Sequence, residues 1–95
     1  MTTIDLQERV FALVRKQVWH LRRPVLTRAT HLRADLGLNL LERVQLGIRL
    51  EYDLGIEILD TEIGQWNTLA DVLACVERYL PVAGLHALTA TYLLR

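Results

Sequence analysis

Nucleophilic chemistry finds few residues to work with in this chain, because its 95 residues include no serine. A Ser-His-Asp set is thereby excluded. His20, His31 and His86 show no ligand spacing such as a helical i, i+4 pair, and Cys75 has no second cysteine to join, so no zinc-type donor set forms. Cys75 falls at the edge of an apolar helical stripe, the setting of a partly packed thiol rather than a reactive one. No glycine-rich phosphate loop occurs. Threonine supplies the remaining aliphatic hydroxyls, and Thr30 lies in a connection, displaced from any helix start that would position it. No nucleophile, base and charge stabiliser can be assembled, so the chain reads as a non-enzyme. What stands out instead is Asp35-Leu36-Gly37-Leu38-Asn39-Leu40-Leu41-Glu42, a run built to start a helix.

The elements around that run follow from periodicity and punctuation. Ile4, Val10, Phe11, Val14, Val18 and Leu21 recur at three- and four-residue steps, which predicts a first helix from about Ile4 to Leu21. Pro24 stops it, and residues 24–38 read as a long connection. Asn39 with Glu42 three residues on is a capping-box pair, so the second helix starts there. Leu41, Val44, Ile48 and Leu50 give it an apolar stripe, widened by Leu46 and Leu54, and Gly55 ends it. An extended link through Ile56–Asp60 leads to a helical turn near Thr61–Gly64. Thr68 and Asp71 form a second capping pair. It opens a last helix from Leu69 to Leu80 with Leu69, Val72, Leu73, Val76 and Leu80 on one side, and Pro81 closes it. The expected fold is all-α: a small bundle of three main helices plus a short third helix. Residues 1–81 form this domain. Residues 82–95 form an apolar C-terminal extension, read as a short helix or docked segment.

Composition agrees with one packed domain. Hydrophobic residues make up 52% of the chain, enough for a core even at this size. No apolar run approaches a membrane span. The opening Met1-Thr2-Thr3-Ile4-Asp5 lacks the basic-then-apolar order of a secretory signal, and the lone cysteine requires no oxidising compartment, so the expected location is cytoplasmic. The net charge of zero conceals a split: residues 1–34 carry +5 and residues 35–64 carry −5. That split supports pairing between neighbouring helices, or alternatively a charge-steered partner contact. The cluster Arg15, Lys16, Arg22, Arg23, Arg28 and Arg33 has few aromatic companions and faces an acidic second helix, so no nucleic-acid partner is expected. Trp19 and Trp66 read as core or core-edge residues.

From Asp35 to about Leu80 the chain resembles the acyl carrier protein family without a gap. Asp35-Leu36-Gly37-Leu38-Asn39-Leu40-Leu41-Glu42 stands where the family has Asp-Leu-Gly-x-Asp-Ser-Leu-Asp. Val44, Leu46, Leu50 and Glu51 match the pattern of the family's second helix. Gly55-Ile56-Glu57-Ile58 followed by Asp60 is similar to its Ile-x-Ile-Pro-Asp link, with Leu59 at the proline position. Trp66-Asn67-Thr68-Leu69-Ala70-Asp71 resembles the start of its last helix. Ile4, Glu8-Arg9-Val10 and Gln17-Val18 echo its first helix more loosely.

The resemblance implies a serine that carries 4'-phosphopantetheine, at the position that Leu40 occupies here. A serine on the first turn suits that linkage, because the positive helix end favours a phosphodiester anion. Leu40 has no nucleophile, and Asn39 keeps the capping role of the family's aspartate but drops its charge. The attachment position, flanked by Asp35, Gly37, Asn39 and Leu41, is therefore degenerate, and no cofactor is expected. The family also docks partner enzymes on its second helix. Carried over by position, that surface comprises Leu41, Glu42, Val44, Gln45, Ile48 and Glu51. Gln45 and Tyr52 stand where acids are usual, and Arg43 and Arg49 add positive charge, so a partner that recognises ordinary carriers by charge should bind less well. The leading reading is an interaction module beside a fatty-acid, polyketide or related acyl-transfer system. The alternatives are a genuine carrier with an altered attachment site, to which 4'-phosphopantetheine would belong, and a homo-oligomeric structural protein joined through its tail.

Overall fold

The computed structural model describes residues 2–22 and 24–80. Four helices follow in order: α1 Thr3–Gln17, α2 Leu40–Leu54, α3 Asp60–Ile63 and α4 Leu69–Tyr79. Among the described residues there is no sheet, only an isolated antiparallel bridge between His31 and Thr68. The fold is thus all-α, with three longer helices and a short third one. The expected segment 82–95 lies outside the described residues, as do His86 and Pro81.

Helix α1 is capped by Thr2, whose hydroxyl accepts the Asp5 amide at 3.1 Å. Its inward face is Leu6, Val10, Phe11 and Val14, with Val18 just beyond. Two expectations are corrected here. Ile4 is exposed and Leu6 takes its place, because Leu6, Val10, Val14 and Val18 recur at four-residue steps and Ile4 falls off that line. The helix also ends at Gln17 rather than Leu21: Val18 is the C-cap, at φ −108° and ψ 34°. The run Val18-Trp19-His20 is β-branched and aromatic, of modest helix propensity. A turn through Leu21, whose amide donates to the Val18 carbonyl at 2.8 Å, then brings Leu21 back against the core.

Helix α2 starts in the expected capping box: Asn39 Oδ1 accepts the Glu42 amide at 2.8 Å, and Glu42 Oε1 accepts the Asn39 amide at 3.0 Å. It ends at Gly55, whose φ of 68° is the left-handed conformation that favours glycine. α1 and α2 run antiparallel. Gln17, at the end of α1, bonds Gln45 and Arg49 on α2, while Arg9 pairs with Asp53 near the far end of α2 at 2.8 Å. Gly47 lets α3 approach closely, because a Cβ there would stand 2.5 Å from Ile63 Cδ1.

The long connection is sewn to the domain. Leu26, Leu32, Leu36 and Leu38 are all buried, each worth roughly 1.5–3 kcal/mol of burial. The Leu69 amide donates to the Thr30 carbonyl at 3.0 Å, and the Ala70 amide donates to Arg28 at 2.8 Å. The connection thus takes two donors that the start of α4 would otherwise leave unpaired. Thr68 accepts the next, from Asp71, and Asp71 Oδ2 accepts the Asn67 and Thr68 amides at 2.9 and 3.0 Å. Those two amides hold the Asp71 carboxyl below its usual range.

Candidate functional site

The run Asp35–Glu42 forms the junction between the connection and α2. Asp35 accepts the His31 amide at 2.7 Å, and His31 Nδ1 accepts the amides of Arg33 and Ala34. Gly37, at φ 69°, turns the chain, and Leu38 drops into the core. Leu40 is then the first residue of α2 and is 56% exposed. Asp35, His31 and Asn39 therefore act as scaffold, satisfying backbone amides that hold the junction in shape.

The chemistry at that point does not fit a phosphopantetheine linkage. Leu40 ends in methyl groups, with no oxygen to form a phosphodiester. Thr30 does not substitute for it: its side chain is buried and its Oγ1 accepts the Thr27 amide at 2.8 Å.

Helix α2 carries two apolar faces. Leu46, Gly47 and Leu50 are buried, with Val44 and Leu54 packed beside them. Leu41, Ile48 and Tyr52 point outward, at 65%, 51% and 90% exposure. Their spacing of seven and then four residues aligns them along one side. The single stripe expected for this helix thus divides, and Leu41 and Ile48 leave the core because Leu46 and Leu50 define the inward line. Of the residues carried over as a docking surface, Leu41, Gln45 and Ile48 are exposed. Glu42 is bound into the capping box. Val44 packs against the core. Glu51 accepts the Ile58 amide at 2.9 Å and so fixes the α2–α3 link. Tyr52 completes the exposed row, Leu40 is exposed at the first turn beside it, and their outward direction is not readable from residue type. A shallow groove beside them, between α1 and α2, is lined by Leu13, Arg49, Tyr52 and Asp53.

A second concavity, of about 180 Å³, lies between α3 and α4, where Glu62, Trp66, Asp71, Cys75 and Arg78 line it. Cys75 is fully buried rather than at the stripe edge, since α4 turns it toward Trp66. Burial pushes its thiol up. A buried thiol shifted in that direction is a poor nucleophile. Glu62 is held below its usual range by the Tyr79 hydroxyl, which donates to it, and by Arg78, which pairs with it at 2.7 Å. These contacts clamp α3 to α4. The indole Nε1 of Trp66 and Nε of Arg43 are buried without a hydrogen-bond partner. Trp66 is a core residue as expected, whereas Trp19 is 81% exposed, because α1 ends before it.

Among the described residues no group of three or more His, Cys, Asp or Glu side chains could hold a metal ion, and no helix is long and apolar enough to cross a membrane. Compared with models of known protein families and with curated proteins, the chain matches none.

Proposed function

We propose that this chain is an acyl-carrier-like interaction module that is not phosphopantetheinylated and that works beside a fatty-acid, polyketide or related acyl-transfer system. One observation carries the reading. A helix start of the carrier type, capped by Asn39 and Glu42, presents an exposed aliphatic side chain, Leu40, where the family presents its serine. The outward row Leu41, Ile48 and Tyr52 continues that apolar surface along α2. Exposed large side chains aligned on one helix are characteristic of docking surfaces rather than of solvated faces. The fold is compatible with the reading: it has the long first connection and the one-turn third helix expected from the sequence. Its partner is an enzyme of acyl transfer or of the associated biosynthesis, docking on α2.

The test is affinity purification from the native cell with the wild-type chain and with Leu41→Glu/Ile48→Glu. Both substituted residues are exposed, so helix content by circular dichroism stays unchanged. The wild type should enrich an acyl-transfer or biosynthetic enzyme, and the variant should lose it. Equal enrichment by both chains, or enrichment of none, overturns the proposal.

A further inference from the structure

The two charge blocks read in the sequence pair with each other only sparingly. Among the described residues the ion pairs are Arg9–Asp53 and Arg78–Glu62. Pairing between neighbouring helices therefore accounts for one bridge between the basic start and the acidic middle. Arg15, Lys16 and Arg22 have no ion-pair partner among the described residues, nor do Glu57 and Asp60.

These unpaired charges are segregated at opposite ends of the α1–α2 pair. Arg15, Lys16, His20 and Arg22 flank the exposed Trp19 in the chain at and just past the end of α1, all themselves exposed. That is the end where Gln17 meets Glu42 and Gln45. Glu57 and Asp60 lie past the other end of α2, in the corner that leads into α3, on either side of Leu59, which is 64% exposed. Fifteen residues of α2 separate the ends by about 22 Å, at roughly 1.5 Å per residue. That exceeds the Debye length of about 8 Å at physiological salt, so the two ends act as separate patches. Each combines unpaired charges of one sign with one large apolar side chain, and the two sets of unpaired charges are opposite in sign.

We propose that two copies of this chain associate end to end, the cationic Trp19 end of one against the acidic Leu59 corner of the next. The occupant of each patch is thus the opposite patch of a second copy. The inference does not depend on the proposed function. Different patches meet in this contact, so it is heterologous and extends beyond a dimer unless the rotation closes a ring. Exposed charge pairs are individually weak and screened by salt. The association is accordingly weak and salt-sensitive, with Trp19 the apolar anchor.

Sedimentation equilibrium of the full chain tests this. Weight-average mass should rise with concentration at about 20 mM salt, and the association constant should fall at least about tenfold by 500 mM as screening tightens. Lys16→Glu/Arg22→Glu and Glu57→Lys/Asp60→Lys should each stay monomeric. An equimolar mixture of the two should associate again, because each variant keeps the patch that the other needs. Circular dichroism checks that both variants are folded. A wild type that is monomeric throughout overturns the proposal. So does association that salt and charge reversal leave unchanged, which would assign it to an apolar segment such as residues 82–95.

Discussion

The amide of Leu69 donates to the carbonyl of Thr30 at 3.0 Å, so the first residue of the last helix is capped by the connection that leads into α2. The junction bearing Leu40 therefore shares a framework with the start of α4. Perturbing that connection should register in global stability, whereas perturbing the outward face of α2 should not.

That contrast gives a first prediction. Leu32 is fully buried in the connection, and Leu32→Ala should cost about 2–5 kcal/mol, the usual range for a core leucine. Leu41 is mostly exposed, and Leu41→Ala should fall within about 0.5 kcal/mol of wild type. Urea denaturation of both variants measures the difference. Equal costs would contradict the assignment of the two leucines to inside and outside.

Gly47 gives a second. Alanine is the better helix former by about 1 kcal/mol, but its Cβ would press on Ile63 Cδ1. In a double-mutant cycle, Gly47→Ala should be less favourable in the wild type than in an Ile63→Val background, with coupling of about 1 kcal/mol or more. Additive effects would show that α3 does not need the missing side chain.

The third concerns pH. The Thr68 and Asn67 amides keep the Asp71 carboxyl below its usual value of 3.8. A carboxyl depressed on folding contributes stability that is fully present above the unfolded value and lost as pH falls through the folded one. As pH falls from neutral through 3.8 and below, wild type should therefore lose more stability than Asp71→Asn. Denaturant midpoints across that window decide it; parallel curves would remove Asp71 from the acid response.

Local chemistry was legible in the sequence, and the direction of faces was not. Asn39 with Glu42, and Thr68 with Asp71, announce both capping boxes because the hydrogen bonds join residues three apart. The glycine at position 55 likewise marks its own turn. Ile4 and Leu6 are equally apolar, however, and only the packing of α1 on α2 and α4 decides which is buried. Glu51 looks like a surface acid until the α2–α3 link brings the Ile58 amide to it. The connection hid its four buried leucines because they follow no helical or strand period. At the candidate site, the exposed positions of Leu41 and Ile48 depended on Leu46 and Leu50 winning the core, a tertiary outcome. The exposure of Trp19 depended on where α1 unwinds.

Leu40 offers no oxygen for a phosphodiester, so this chain should be unable to carry a prosthetic arm. Intact-mass spectrometry after incubation with coenzyme A and a broad-range phosphopantetheinyl transferase tests it, with an ordinary carrier protein in the same tube to show that the enzyme is active. The carrier should gain the mass of the arm while this chain keeps its own mass. A phosphopantetheine adduct on the wild-type chain would contradict it.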